Sequence, residues 1–314
     1  MKRLEYLDQM KGIAIFLMVM GHVLLFTFDV TECTLSNVFF INMPIFFYVS
    51  GYLLYKSTNT RQELFARLRH KAMRLLPPWI AVTVVMAWVQ KWNVFSTLCN
   101  FYWFFYVLFL LTMIVVLVDF LVFRHIAKPL YYSAALFIIP VVFAGQKVMG
   151  LYNCYLPAHH LCMYSVPFLL GWVCRKYGRI NTFMIENQWL YCICVAALFF
   201  CWYKFSELNN YVHLLGALCG IVVLQSALYH NEQKCNKMPI VSMVGRSTLA
   251  IYALNNFLLP DQTGLVDGDV KTFFAEHGLL VQFVIIGIVT AVVIVGCMLV
   301  EWLFHNNIYL SKIL

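Results

Sequence analysis

Ten apolar segments, separated by short polar stretches, take up most of this chain of 314 residues. Most are about as long as a bilayer-crossing helix, which needs ~20 apolar residues. Hydrophobic residues make up 62% of the chain and charged residues 11%, a composition that excludes a soluble domain of this length. The approximate spans are 11–29, 37–56, 75–93, 102–123, 130–146, 162–175, 188–204, 211–229, 240–260 and 280–304. We therefore predict an all-α, polytopic bundle of about ten transmembrane helices, with one domain over residues 1–314 and no soluble extracytoplasmic domain.

The Lys and Arg residues lie almost entirely on one side of this arrangement. If the N-terminus is cytoplasmic, Arg246 falls within a segment and only four of the 22 basic residues lie outside: Lys91, Lys147, Lys204 and Lys271. An excess of Lys and Arg in cytoplasmic loops sets the orientation of a membrane protein. We expect both termini to be cytoplasmic. The net charge of +8 then reflects topology and does not indicate a nucleic-acid partner.

The first segment contains the stretch KGIAIFLMVMGH, in which Lys11 and His22 share one helical face. They lie about 16 Å apart along the axis, since a helix rises ~1.5 Å per residue. An ionisable ring near the middle of a bilayer is costly and usually faces a cavity or a partner. His22 is therefore a candidate catalytic residue, together with Lys11 and the preceding Asp8. The alternative is a histidine that only bonds a neighbouring helix.

The longest basic stretch follows the second segment and carries Arg67, Arg69, Lys71 and Arg74 before Pro77. Arg67, Lys71 and Arg74 recur at helical spacing and share one face. Basic side chains on one face suit a polyphosphate ligand, and they would serve anionic lipid headgroups equally well. An ordinary positive-inside anchor would also explain part of this charge.

Polar groups also occur within other apolar segments. Ser50-Gly51 in the second segment would let another backbone approach closely. Asp119 and Glu301 are acidic groups in apolar surroundings, and either could pair with Arg246, which would make them structural.

Six motifs, in this order, resemble the acyltransferase-3 family of integral membrane acyltransferases. They are LDQMKGIAIFLMVMGH, MPIFFYVSGYL, KAMRLLP, YWFFYVLF, FLLGW and GRSTLAIY, and they extend through most of the chain. The most specific is a basic residue, ten residues and a His, here Lys11 and His22. The second is a basic-x-x-Arg pair before a Pro, here Lys71 and Arg74 before Pro77.

The resemblance implies a multi-pass protein of the bacterial inner membrane that transfers an acyl group to a hydroxyl. The donor would be acyl-CoA, most often acetyl-CoA, and the acceptor a cell-envelope or exported carbohydrate or a lipid-linked glycan; no metal is expected. Lys71 and Arg74, assisted by Arg67 and Arg69, would bind the donor's phosphates. His22 would act as a base or as an acyl-carrying nucleophile. The candidate substrate-binding residues are Asn42, Ser50, Trp103 and Asn255.

Two positions depart from the family pattern. Asn42 stands where a His often precedes Met-Pro, and Asn255 stands where a His often follows Ile-Tyr. Asn forms hydrogen bonds but does not carry protons at neutral pH. These departures leave open a catalytically silent scaffold in polysaccharide synthesis. A proton-coupled transporter or exporter of a small metabolite, with His22 as relay, is a further alternative, although no matched pair of broken helices indicates one.

The outer loops are expected to border the route of the acceptor, because the donor would occupy the opposite side. They span 146–162, which includes His159 and His160, and 260–279. The oligomeric state is left open by the sequence.

Overall fold

The computed structural model describes residues 4–28, 40–56, 60–94, 97, 102–121, 126, 128–148, 158–204, 209–234, 238–260 and 268–306. Within these ranges the chain forms helices and no strand, so the predicted all-α class is confirmed. Every one of the ten predicted apolar segments is helical over most of its described part.

The helices of the first half begin with α1, Glu5–His22, which continues as a π-helical turn over Val23–Thr27. The next six are α2 Asn42–Leu54, α3 Arg61–Gln90, α4 Trp103–Leu121, α5 Pro129–Leu136, α6 Ile138–Val148 and α7 Ala158–Lys176. The second half contains α8 Gly178–Glu186, α9 Gln188–Tyr203, α10 Asn210–Gln233, α11 Pro239–Arg246, α12 Thr248–Leu258, α13 Gly268–Glu276 and α14 Leu279–Asn306.

Five of the described helices are long and apolar enough to cross a membrane: α1 with its π-helical turn, α3, α4, α10 and α14. The pair α8 and α9, bent by 70°, would provide a sixth. The shorter helices α5–α6 and α12 are also apolar. The chain is therefore a membrane protein, while the number of ten crossings and the cytoplasmic position of the termini stay predictions.

Local sequence signals explain where several helices start. A capping box begins α3: the Thr60 side chain accepts a hydrogen bond from the Glu63 backbone N–H, and Glu63 accepts one from the Thr60 backbone. Asn187 and Asn209 cap α9 and α10 in the same way, with side-chain oxygens that accept from backbone N–H groups. Proline at the first helical position starts α5 and α11, where its missing N–H costs nothing.

The described helices form two compact units. The first contains residues up to Phe46 and from Ile185 onward, and the second runs from Phe47 to Met184. In the first unit α1 is central, because it packs against α10, α11, α12 and α14. Its start is fixed by α10, where the Glu232 side chain accepts a hydrogen bond from the backbone N–H of Tyr6 at 3.0 Å.

The region predicted as a single ninth segment is broken at Ser247 into α11 and α12. Gly12 of α1 packs against Val241, and Gly245 packs against Asp8. Residue numbers fall along α11 as they rise along α1, so these two helices run antiparallel. Arg246 is therefore close to the first turn of α1, and it is exposed. The sequence had placed this arginine inside a membrane-crossing segment.

In the second unit, small residues allow the close approach of α2 and α7 that the sequence predicted at Ser50-Gly51. A Cβ at Gly51 would overlap the backbone carbonyl oxygen of Phe168. The remaining packing joins α3 with α4, α6 with α7, and α4 with α7.

A buried polar network also links α4, α5 and α7 of the second unit. Asp119 accepts a hydrogen bond from the Tyr132 hydroxyl, which accepts one from the Trp172 indole N–H at 2.9 Å. The Lys176 ammonium lies 3.8 Å from Asp119 and 3.1 Å from the centre of the Tyr132 ring. Asp119 therefore has a structural partner in Lys176, where the sequence had suggested Arg246.

Candidate active site

His22 is the last residue of α1 before the backbone widens into the π-helical turn Val23–Thr27. Such turns are rare and occur often at functional sites. The His22 side chain is half-buried, and its ring centre lies 5.4 Å from that of Phe26. Within the described part of the chain it forms a hydrogen bond with Asn255 of α12 in the same unit, with 2.7 Å between His22 Nδ1 and Asn255 Oδ1.

Asn255 is completely buried, and its own amide group is fully engaged. The amide nitrogen donates to the backbone carbonyl oxygens of Ile251 at 3.0 Å and Tyr252 at 2.8 Å. The sequence predicted Asn255 as a substrate-binding residue. The structure places its side chain against the predicted catalytic histidine, a pairing across 233 residues that the sequence analysis did not make.

Asp8 and Lys11 form an ion pair at the beginning of α1, with 2.7 Å between Lys11 Nζ and Asp8 Oδ1. Asp8 is buried and Lys11 is half-buried. The pair lies roughly three to four helical turns before His22, at about 1.5 Å per residue. These two predicted catalytic residues are thus paired with each other, and the described contacts include no bond from either to the imidazole.

Arg67, predicted to assist donor binding, forms contacts with α2 and with Trp172 in the structure. Its guanidinium donates to the backbone carbonyl oxygens of Leu54, the last residue of α2, and of Lys56 just after it, the latter at 2.8 Å. It also lies over the ring of Trp172, 5.4 Å from the centroid. These contacts satisfy carbonyl groups that a helix C-terminus leaves without partners.

The other three predicted donor-binding cations are differently placed. Arg69 and Arg74 are exposed and Lys71 is half-buried on α3, close enough to Arg74 and Arg67 for electrostatic repulsion. None of these three forms an ion pair with an acidic residue in the part of the chain that the structure describes. Arg69, Lys71 and Arg74 therefore carry positive charge that is not paired with any described carboxylate.

Trp103, predicted to bind substrate, belongs to a cluster of nearly parallel aromatic rings. Its ring lies 4.2 Å from His160 and 5.1 Å from Tyr164, with interplanar angles of 10° and 22°. Tyr164 lies 4.7 Å from the buried ring of Phe47. Trp103, His160 and Tyr164 are half-buried, so part of each ring's surface is exposed. The sequence placed Trp103 and His160 separately on the acceptor side, and the structure brings them together.

The two remaining residues that were predicted to bind substrate, Asn42 and Ser50, have fewer described contacts. The Asn42 side-chain oxygen accepts from the backbone N–H of Met43 at the start of α2, and Ser50 is half-buried within the same helix. The parts of the predicted acceptor loops at 149–157 and 261–267 lie outside the described residues.

Comparison with known families agrees with the motifs. The model of the Acyltransferase domain (Acyl_transf_3) matches residues 4–302, which is nearly the whole chain. Searches of curated proteins and of solved structures returned no match. With its apolar helices and this match along almost its full length, the chain belongs to the acyltransferase-3 family of membrane acyltransferases.

Proposed function

We propose that this membrane acyltransferase transfers acetyl from acetyl-CoA to a hydroxyl of a cell-envelope or exported carbohydrate, with His22 as general base. The observation that carries the proposal is the half-buried His22 imidazole, which is bonded through Nδ1 and leaves Nε2 without a partner among the described residues. Imidazole exchanges a proton near neutral pH and is the commonest general base in enzymes.

The reaction requires two proton transfers, both through His22, and one exchange of bonds at a carbonyl carbon. His22 Nε2 takes the proton of the acceptor hydroxyl while the hydroxyl oxygen bonds to the thioester carbon. The carbon–sulfur bond then breaks, and CoA leaves as a thiolate that takes the proton back from the imidazolium. The products are an O-acetyl ester and free CoA, and His22 returns to its neutral form.

The donor's phosphates are assigned to the cations of α3 that form no ion pair among the described residues. Lys71 and Arg74 make the primary contacts, and Arg69 assists, because charge-assisted hydrogen bonds to phosphate are roughly twice as strong as neutral ones. Arg67 shapes the end of α2 beside them, since its guanidinium is already bonded to Leu54 and Lys56. The phosphates and the thioester lie at opposite ends of CoA, so the cations need not adjoin His22.

The acceptor is assigned to the aromatic cluster of Trp103, His160 and Tyr164. Sugars present apolar C–H faces that pack on flat rings, and the rings of this cluster are parallel within 10–22°. Asn42 and Ser50 are proposed to add hydrogen bonds to hydroxyl groups. A cytoplasmic N-terminus would place the basic start of α3 on the side where acetyl-CoA is made.

The test is acetyl transfer by the purified protein in lipid nanodiscs with acetyl-CoA labelled in the acetyl group. We expect CoA release that depends on added envelope carbohydrate, and a labelled ester on the carbohydrate. A transporter or a silent scaffold would give neither hydrolysis nor transfer, and that outcome would overturn the proposal. If label remains on the wild-type protein after an acid quench and is absent from His22→Gln, then His22 acts as a covalent acyl carrier and not as a base.

A further inference from the structure

The orientation of the Asn255 side chain follows from its surroundings. Its amide nitrogen lies 3.0 Å from the carbonyl oxygen of Ile251 and 2.8 Å from that of Tyr252. Exchanging nitrogen and oxygen would place the side-chain oxygen against two carbonyl oxygens, with no hydrogen between them. Because Asn255 is completely buried, water could not relieve that repulsion. The oxygen must therefore be the atom that faces His22.

An amide oxygen accepts hydrogen bonds and cannot donate one. The His22 Nδ1 atom, 2.7 Å away, must then carry the hydrogen of this bond. A neutral imidazole has one N–H, so Nε2 is left with its lone pair. The α12 backbone thus fixes Asn255, and Asn255 fixes the tautomer of His22.

We propose that Asn255 is a positioning residue that holds His22 as its Nδ1–H tautomer and aims Nε2 at the acceptor hydroxyl. The inference rests on the proposed function, because a base needs its lone pair on the atom that meets the hydroxyl. It changes the role of Asn255 from substrate contact to support of the base. The same bond holds when the imidazole takes up the second proton, since Nδ1–H remains a donor to Oδ1.

A neutral amide in this position has a further consequence. An acidic partner could take the proton from the imidazolium, whereas Asn255 neither gives nor takes one at neutral pH. The proton that Nε2 removes from the hydroxyl therefore stays on His22 until the departing thiolate takes it. Asn255 contributes orientation and hydrogen bonding, and it needs no contact with the substrate.

The direct test is nitrogen NMR of the full-length protein in nanodiscs, labelled with 15N at its nine histidines. The signals of His22 are those lost in His22→Gln. At a pH where the ring is neutral, we expect protonated Nδ1 and unprotonated Nε2 in the wild-type protein. A ring protonated at Nε2, or an even mixture of tautomers, would overturn the inference.

A pair of variants provides the kinetic test. Asn255→Leu removes the acceptor oxygen at similar volume, and we expect a mixture of tautomers and a fall in kcat of roughly tenfold, the scale of one lost hydrogen bond. The KM for acetyl-CoA should stay the same. Thr290→Val is the matched control, because Thr290 is also fully buried in this unit, on α14, and its hydroxyl has no partner among the described residues.

The two proposals fail separately. If the wild-type protein shows the Nδ1–H tautomer but transfers no acetyl group, the positioning role stands and the proposed function fails. If acetyl transfer is observed with the Nε2–H tautomer, or with Asn255→Leu at full kcat, the function stands and the positioning role is wrong. Should Asn255→Leu not fold, the wild-type spectrum alone decides.

Discussion

Gly245 packs directly on the backbone carbonyl oxygen of Asp8, so closely that a Cβ at position 245 would overlap this oxygen. The contact fixes α11 against the first turn of α1, and α1 carries both the Asp8–Lys11 pair and His22. The placement of the candidate base therefore depends on a backbone contact that only glycine permits here.

Gly245→Ala should separate α1 from α11 and lower stability by about 1–3 kcal/mol, the usual cost of overpacking a tight contact. Thermal unfolding of the purified protein, followed by tryptophan fluorescence, measures the effect. Gly287→Ala on α14 is the control, because a Cβ there meets nothing within 4 Å and alanine favours a helix. Equal midpoints for the two variants would show that the Gly245 contact is unimportant.

Lys71→Gln should weaken acetyl-CoA binding about tenfold or more, because a charge-assisted contact contributes roughly 1.5–3 kcal/mol. The KM for the donor should rise while kcat changes little, and added salt should reduce the difference. Arg61→Gln serves as control, since Arg61 is also a cation of α3, exposed, but lies at its first residue. A common effect of both variants would indicate membrane anchoring instead of a donor site.

Asp119→Ala should be strongly destabilising, by about 3 kcal/mol or more, because it leaves the Lys176 ammonium without its carboxylate partner. Replacing both partners, as in Asp119→Ala with Lys176→Met, should recover part of the loss. Thermal midpoints of the two single variants and the double variant measure this coupling. Purely additive effects would mean that the pair at 3.8 Å contributes nothing.

Trp103→Leu should raise the KM for the carbohydrate several-fold and leave the KM for acetyl-CoA unchanged, because the carbohydrate loses contact with one of the three rings of the aromatic cluster. Trp88→Leu is the control, since Trp88 is 80% exposed on α3. Steady-state rates at varied acceptor concentration decide the matter. A higher KM for acetyl-CoA would contradict the assignment of Trp103 to the acceptor site.

Much of the fold follows from the sequence, because hydrophobic periodicity and membrane length are local properties. The helical segments, the close contact at Gly51 and the candidacy of His22 can all be predicted in this way. The spacing between Lys11 and His22 also indicates the family, since both residues belong to one helix and one motif.

Contacts between residues far apart in the sequence could not be predicted from such local properties. The Asn255 bond to His22 joins residues 233 positions apart, and nothing in either segment specifies the other. The break at Ser247 was not predicted, because the stretches before and after this residue are both mostly apolar. Together they have the length of one membrane-crossing helix. The hydrogen bonds from Arg67 to the carbonyl groups of Leu54 and Lys56 were likewise not predicted, since the neighbouring residues in the sequence indicated only a basic helical face.

The central claim is that His22 is the base of the transfer. The measurement is the single-turnover rate of acetyl transfer from labelled acetyl-CoA to carbohydrate by wild-type protein and by His22→Gln, with donor binding measured in parallel. We predict a loss of roughly 10²–10⁴-fold, the contribution of a general base, with unchanged donor affinity and unchanged membrane insertion. Transfer by His22→Gln at the wild-type rate would contradict the account.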